Sequence, residues 1–130
     1  MACAWAVLQH LGVDGYKRLT RVTIDTVRRM AAGVKAIDGL TVVAEPEAQI
    51  VAITVAPGWE DRMDVFAVGD AMHERGWHHD RQSRPDSLHA TVSPGNAPVI
   101  EEYLADLRDC VDIMLGRRAE DRSTSYSTLE

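Results

Sequence analysis

Hydrophobic side chains recur at three- and four-residue steps through the first third of the chain. An apolar stretch, ACAWAVLQHL, ends at Gly12, which can adopt the left-handed conformation that terminates a helix. A second helix is predicted from about Asp14 to residues 38–39, and its charged opposite side indicates an amphipathic helix of about six turns. The apolar side of this helix is formed by Leu19, Val22, Thr26, Val27, Met30, Val34 and Ile37.

After the second helix the hydrophobic pattern favours strands. The runs LTVVAEP and QIVAITVAP are rich in β-branched residues and are closed by Pro46 and Pro57. They predict two strands joined by a turn. The segments WHHDRQ and LHATV predict two further strands, separated by the turn-like sequence SRPDS.

Two more helices are predicted, one between the strand pairs and one after them. Asp64 is a suitable N-cap for the first of these, which ends at Gly76. The last helix runs from about Pro98 to Leu115. Its apolar stripe is formed by Ile100, Tyr103, Leu104, Leu107, Val111 and Met114.

The predicted order of elements is therefore α-α-β-β-α-β-β-α. Paired strands with helices between them indicate an α+β fold. We expect a two-layer sandwich with a mainly antiparallel four-stranded sheet and the helices on one face. Residues 1–116 are predicted to form the domain, and residues 117–130, which lose the apolar periodicity, are expected to be a disordered polar tail.

The first predicted helix is apolar on nearly all sides. Such a helix needs a covering surface, because exposed apolar area is unfavourable in water. Two alternatives follow. Either the helix packs into this domain and a self-association surface, or its partner lies outside this polypeptide, and we favour the second.

Composition and charge narrow the possible partners. The 130 residues include 14 basic and 20 acidic side chains, which gives a net charge of −6. This balance argues against nucleic acid or an anionic membrane as the main partner, since both need clustered cations. No apolar run reaches the length of a membrane span of ~20 residues. The two cysteines, Cys3 and Cys110, favour a cytosolic chain with reduced thiols over a disulfide.

The sequence GWHHDRQ concentrates two histidines, an aspartate and an arginine. If WHHDRQ is a strand, alternation sends His78 and His79 to opposite faces, where they cannot share a metal ion. Asp80 and His89 could add ligands on one of these faces, but no HExxH, CxxC or HxH pattern supports a metal site. We therefore predict no metal, and polar residues on a strand face are the simpler interpretation.

Other catalytic patterns are also incomplete. Ser83, Ser87 and Ser93 lie near His89 in the sequence, but no GxSxG motif or glycine-rich phosphate loop occurs. Arg81 and Arg84 could hold a carboxylate or a phosphate, although solvated charges at a strand end are the simpler interpretation. We therefore assign no catalytic residue.

Larger segments resemble a known module. DVFAVGDAMHERGWHHDRQ, PDSLHATVSP and EEYLADLRDCVDIM resemble the C-terminal small domain of fold-type-I pyridoxal-phosphate-dependent lyases, in the group II decarboxylase and sphingosine-phosphate lyase branch. AWAVLQHLGVDGYKRLTRVTIDTVRRMAAGV resembles the helices that lead into that domain. The most specific matches are Leu11-Gly12 with Gly15-Tyr16, Asp64-Val65-Phe66 with Asp70, Gly76-Trp77, and the spacing of Pro85, Ser87 and His89.

The resemblance implies a dimeric enzyme whose large domain, absent from this chain, binds pyridoxal phosphate through a lysine that usually follows a histidine. Lys17 and Lys35 are the lysines of this sequence, and neither lies in such a motif. We therefore expect this chain alone to bind no cofactor and to be inactive without the large domain and a second subunit.

In the strand LHATV, the positions where many related decarboxylases carry a carboxylate-binding arginine hold His89 and Thr91, as in the sphingosine-phosphate lyase branch. We thus predict the small domain of a carbon–carbon lyase that closes the active site, with His89, Arg81 and Arg84 as substrate-binding candidates. The alternative is a free-standing α+β interaction or regulatory module that dimerises through its N-terminal apolar helix.

Overall fold

The computed structural model describes residues 2–124, which form three helices and a four-stranded sheet. The predicted α+β class and order of elements are confirmed, with the first two predicted helices joined end to end in α1. The elements are α1 (Ala2–Lys35), β1 (Leu40–Val42), β2 (Ile50–Val55), α2 (Val65–Glu74), β3 (Asp80–Gln82), β4 (Ser87–Thr91), a 3-10 helix (Pro94–Val99) and α3 (Ile100–Met114).

Gly12 divides α1 into two segments. Its backbone angles, φ 57° and ψ −175°, lie outside the helical region and are readily accessible only to glycine. Helical structure resumes directly after it, so α1 is a kinked helix instead of two helices separated by a loop. The buried residues of α1 begin at Gly15, which leaves residues 2–10 exposed.

The sheet is antiparallel throughout, with the strand order β1-β2-β4-β3. Its register places Ala52 and Asp80 on either side of His89, at the level of the Cα atoms. Alternate residues of the two central strands, including Val51, Ile53, Leu88 and Ala90, are buried and belong to the same core as the helices. The helices therefore cover one face of the sheet.

The other face of the sheet, here called the open face, is not covered by a helix within residues 2–124. Residues that alternate with the core positions lie on it, and they are mostly small or polar. Ile50 at its edge is 48% exposed. The open face comprises Thr41, Ile50, Ala52, Thr54, Asp80, Gln82, Ser87, His89 and Thr91.

β3 is shorter than predicted. Pairing with β4 begins only at Asp80, so residues 77–79 lie outside the sheet. Trp77 instead packs edge-on against Tyr103 of α3, with 5.2 Å between ring centroids, and donates its indole N–H to Asp106 over 2.8 Å. Trp77 thus contacts α3, and the chain joins β4 only at Asp80.

Residues 117–124 follow α3 and contact the beginning of α2. Arg118 donates hydrogen bonds to the carbonyl oxygens of Glu60, Asp61 and Met63 at 3.1–3.2 Å. The backbone N–H of Ala119 donates to the Asp64 carboxylate. Residues 125–130 lie outside the described residues, and the disorder expected for 117–130 stays a prediction.

Candidate functional site

A cleft of about 540 Å³, here called the β3 cleft, lies around the edge strand. It is lined by side chains from α2, from the segment before β3, from β3 and β4, and from the C-terminal segment. Asp64 caps α2, which contributes Asp70 and His73, by accepting the Phe66 N–H over 3.0 Å, and pairing with β4 positions the β3 residues. The lining side chains include Asp70, His73, His78, Asp80, Arg81 and His89.

His89 lies at the centre of β4 on the open face and is half-buried. The Ser87 Oγ is 3.4 Å from its Nε2 atom. Ser87 is itself buried and its hydroxyl donates to the carbonyl oxygen of Pro85 over 3.2 Å, so this hydroxyl is not presented as a nucleophile. The most prominent polar group of the open face is therefore the His89 imidazole.

Arg81 points to the helix side of the sheet, since it pairs in register with the core residue Leu88. Its guanidinium forms an ion pair with Asp70 and donates to the carbonyl oxygen of Asp121 over 2.9 Å. It also lies 5.3 Å from the centre of the Phe66 ring. These internal partners occupy most of the donor capacity of Arg81.

Arg84 lies in the turn between β3 and β4, with φ 67°, and is exposed. Within residues 2–124 it has no recorded hydrogen bond or ion pair, and it does not line the β3 cleft. The structure thus brings His89 and Arg81 to one cleft from opposite faces of the sheet and leaves Arg84 outside it.

His78 is exposed and His79 is half-buried. Strand alternation, which we predicted to send them to opposite faces, is not the cause. Both precede β3, and the Nε2 of His79 lies 2.8 Å from the Tyr103 hydroxyl. Burial lowers the pKa of His79 to about 4, with a further lowering by His78 and an opposing effect of Asp80. The Nδ1 of His79 has no hydrogen-bond partner among residues 2–124.

His78 is exposed and its ring packs edge-on against His73 at 4.6 Å between centroids. The part of the chain that the structure describes contains no group of three or more His, Cys, Asp or Glu side chains that could hold a metal ion. Within the same residues, no helix is long and apolar enough to cross a membrane.

Sequence reasoning missed three contributors to the β3 cleft. His73 comes from the last turn of α2, and Asp121 and Ser123 come from the segment predicted as a tail. No periodicity or motif in the sequence marks these residues as neighbours of His89. Asp121 and Ser123 come close because the C-terminal segment folds back against the beginning of α2, whereas His73 comes close because α2 packs beside β3.

Neither lysine of the chain is part of this cleft. Lys35 ends α1 and pairs with Glu45, and Lys17 lies on the exposed side of the same helix. The residues present therefore do not fit a covalent pyridoxal phosphate site.

A second concave surface, here called the α1 groove, lies at the kink of α1 and has a volume of about 720 Å³. Its lining includes Leu8, Val13 and Tyr16, with Lys17 and Arg21 beside them. Val13 is 71% exposed, and Trp5 on the preceding turns is 66% exposed. The N-terminal apolar helix therefore has no covering surface within residues 2–124.

No family model matches the chain. Its sequence is 36% identical over 112 residues to a sphingosine-1-phosphate lyase of Oryza sativa, covering 86% of this chain and 20% of the relative. It is 31% identical over 109 residues to a probable L-tyrosine/L-aspartate decarboxylase of Methanothrix thermoacetophila, covering 83% of this chain and 26% of that protein. The chain spans about one fifth of the length of the first curated relatives it matches.

A solved structure gives the same result in three dimensions. The Burkholderia pseudomallei sphingosine-1-phosphate lyase superposes with a TM-score of 0.73 and 31% sequence identity. The match covers 83% of this chain and 24% of that one. In both comparisons most of this chain matches about a fifth to a quarter of a longer protein.

Proposed function

Because the chain corresponds to a small C-terminal part of the fold-type-I pyridoxal-phosphate-dependent lyases and decarboxylases, we propose that it is the small domain of a carbon–carbon lyase. In this proposal it closes an active site that another domain carries. A sphingosine-phosphate-lyase-like reaction is favoured over an amino-acid decarboxylation. The first relatives are lyases, and His89 and Thr91 stand in β4 without an arginine.

The open face is the observation that carries this proposal. It presents small and polar side chains around a half-buried histidine, next to a cleft of about 540 Å³. Binding sites combine such concave surfaces with a few directed polar groups. The His89 imidazole can donate a hydrogen bond to a phosphate or a carboxylate of the substrate.

The two arginines have different supporting roles in this proposal. Arg84 is exposed in the β3–β4 turn and suits an anionic group of the substrate, because a guanidinium can make two parallel hydrogen bonds to it. Arg81 is held by Asp70, so its main contribution is to fix the edge of the cleft. Both rank below His89 as substrate-binding residues.

The partner implied by this proposal is a large domain that holds the cofactor, in an assembled enzyme that is a homodimer. Pyridoxal phosphate, when bound there, supplies electron withdrawal for carbon–carbon cleavage. This chain contributes no lysine to its own cleft and no catalytic residue. Its residues bind the substrate and exclude water when the domain closes.

A chimeric enzyme tests the proposal. The segment of the Burkholderia pseudomallei lyase that matches this chain would be replaced by residues 1–116 of this chain, and lyase activity and the absorption of bound cofactor would be measured. We expect an active enzyme. The His89→Ala variant of the chimera should lose at least about tenfold in kcat/KM, equivalent to about 1.4 kcal/mol, with unchanged cofactor absorption.

The Thr41→Val variant is the matched control, because Thr41 lies on the same open face but on the outer strand β1. It should retain full activity. A chimera that binds the cofactor but is inactive, or a His89→Ala variant with full activity, would contradict the proposed role.

Exposure of Trp5 and Leu8 favours a second candidate, the free-standing module that dimerises through its N-terminal helix. This candidate predicts a dimer in sedimentation experiments that dissociates when both residues are replaced by polar ones. A monomer at all concentrations would exclude it.

A further inference from the structure

A small cavity of about 80 Å³, here called the 3-10 cavity, lies between the 3-10 helix, the start of α3 and β4. Much of its lining belongs to the hydrophobic core, namely Met30, Ala90, Val92, Ile100 and Tyr103. These residues are buried by other residues of this chain. The cavity is therefore a property of the domain itself and not of a surface left uncovered.

The 3-10 cavity lies beside the part of β4 that has no partner in β3. Pairing between the two strands ends at Asp80 and His89, so Ala90 and Thr91 lack a β3 neighbour. Trp77, which packs against α3 instead of continuing the strand, lines the cavity from that side. The space thus coincides with the place where a longer β3 would continue.

The 3-10 cavity adjoins the β3 cleft, because His78, His79 and Thr91 line both spaces. A ligand held in the β3 cleft therefore lies next to the 3-10 cavity and can place a small substituent there. The cavity thus has the position of a side pocket of the cleft.

His79 brings an unpaired hydrogen-bonding atom to this cavity. Its Nε2 lies 2.8 Å from the Tyr103 hydroxyl, and its buried Nδ1 has no partner among residues 2–124. An unpaired polar atom in a buried position is unfavourable. A ligand that pairs with Nδ1 would therefore gain a hydrogen bond without displacing an existing one.

The contact with Tyr103 determines the tautomer of His79. Burial raises the pKa of Tyr103, so its hydroxyl keeps its proton. If this hydroxyl donates to Nε2, the imidazole proton is on Nδ1 and only that N–H is unpaired. In the other tautomer the Nδ1 lone pair and the Tyr103 hydroxyl proton are both unpaired. The first arrangement leaves fewer buried polar groups unpaired, so His79 presents a donor at Nδ1.

The remaining lining favours an uncharged group. The side-chain oxygen of Asn96 already accepts hydrogen bonds from the N–H and the hydroxyl of Ser93, over 2.7 and 2.9 Å. A buried water needs about two to four polar partners, and a charged group without a partner is costly to bury. One donor in mostly apolar surroundings therefore suits a small uncharged group with a single acceptor.

We propose that the 3-10 cavity binds a small uncharged group with a hydrogen-bond acceptor, such as a carbonyl or ether oxygen, and that His79 selects this group through Nδ1. An apolar cavity of ~150 Å³ holds benzene, so about 80 Å³ suits roughly three or four non-hydrogen atoms. As a side pocket for the substrate the cavity rests on the proposed function, whereas binding to it can be measured on this chain without lyase activity.

Acetone and 2-methylpropene are matched probes, because they have nearly the same shape and only acetone carries an acceptor oxygen. Each would be titrated into the full 130-residue chain. The ¹⁵N signals of the His79 ring and of the Trp77 indole would be followed by NMR. We expect saturable binding of both probes, with a shift of the His79 Nδ1 signal for acetone only.

Variants of His79 separate the hydrogen bond from the space. His79→Phe should weaken acetone binding at least about fivefold, because the donor is lost, and should leave 2-methylpropene binding unchanged. His79→Gln keeps an amide N–H and should retain more of the acetone affinity than His79→Phe.

Filling the cavity tests its location. Ala90→Val adds two methyl groups to a lining residue and should abolish binding of both probes. Val99→Ile fills the cavity from the 3-10 helix and serves as a second variant if Ala90→Val fails to fold, as judged by circular dichroism. Ala52→Val is the matched control on the open face of β2 and should leave both affinities unchanged.

Three outcomes would overturn the proposal. These are the absence of saturable binding of either probe, equal weakening of the two probes in His79→Phe, and undiminished binding in the folded cavity-filling variant. None of them depends on the chimera, so a failure here is distinguishable from a failure of the proposed lyase role.

Discussion

The Asp64 carboxylate and the Arg122 guanidinium connect the beginning of α2 to the C-terminal segment. The Nη1 atom of Arg122 lies 2.6 Å from Oδ2 of Asp64, while Oδ1 of the same carboxylate caps α2 through the Phe66 N–H. Arg122 also pairs with Asp86 in the β3–β4 turn. One buried carboxylate therefore fixes a helix start and a chain segment that lies 58 residues further along.

Two replacements of Asp64 should distinguish its role as the cap of α2 from its ion pair with Arg122. In Asp64→Ala, loss of the N-cap alone should cost about 1 kcal/mol, and the unpaired N–H groups of Phe66 and Ala119 should add to that loss. Asp64→Asn retains a capping oxygen and should destabilise less. Urea unfolding measures both variants against Asp61→Ala, an exposed neighbour. Equal destabilisation by Ala and Asn would contradict the capping role.

His79 predicts a pH dependence of stability. Burial lowers its pKa in the folded protein to about 4, below the ordinary value of 6.5, so folding favours the neutral imidazole. The contribution is therefore complete above pH 6.5 and is lost progressively as the pH falls from 6.5 towards 4. The loss amounts to about 3 kcal/mol. Unfolding free energies measured between pH 7 and pH 4 would follow it.

The His79→Gln variant should flatten this part of the pH profile, while its amide can still reach the Tyr103 hydroxyl. His78→Gln is the matched control, because His78 is adjacent in sequence but exposed, and it should keep most of the slope. Burial also raises the pKa of Tyr103, so this partner stays protonated over the whole range. An unchanged slope in His79→Gln would assign the acid sensitivity to other groups.

Gly39 and Gly58 should differ in their tolerance of alanine. Both have a positive φ, 87° and 85°, which costs an alanine about 1 kcal/mol in each case. At Gly39 a Cβ would also lie 2.5 Å from Cε of Met63 and 2.8 Å from the Trp59 ring, whereas Gly58 has nothing within 4 Å. We expect losses of about 2–3 kcal/mol and about 1 kcal/mol in thermal unfolding. Equal losses would show that Met63 and Trp59 move aside.

The Trp77–Asp106 hydrogen bond can be followed by fluorescence. The indole N–H of Trp77 and then Arg75 lower the pKa of Asp106, so its stabilising contribution is present above the ordinary carboxyl range and is lost as the pH falls through the lowered value. In a background with Trp5 and Trp59 changed to Phe, Asp106→Ala should shift the emission of Trp77 and reduce stability. Asp106→Asn keeps an acceptor oxygen and should shift it less.

The sequence predicted those helices and strands whose ends depend on residues close by in the chain. Asp64 caps α2 as expected, and the apolar stripe of α3 faces the core, with Cys110 as an additional buried member. The four strands and their antiparallel pairing followed from composition and order. Such features depend on neighbours within a few residues, which a single sequence displays.

The parts that were wrong or missed depend on contacts between distant residues. WHHDRQ contains a strand only from Asp80, because Trp77 bonds to Asp106 and His79 to Tyr103, both on α3. Arg81 stays a substrate-binding candidate, but the sequence did not indicate its ion pair with Asp70, which follows from the packing of α2 beside β3. No pattern within WHHDRQ itself reports which partners α3 and α2 will supply.

The kink at Gly12 sets the direction of the first segment of α1. Trp5 lies seven residues from this glycine, or about 10 Å along the helix axis, so a rotation of about 30° at Gly12 would carry its Cα by about 5 Å. Residues 2–10 are exposed. The direction of this first segment is therefore set by the φ and ψ angles of Gly12. A Gly12→Ala substitution would favour a straight helix and change the direction of Trp5 and Leu8, while the sheet and the β3 cleft would be unchanged.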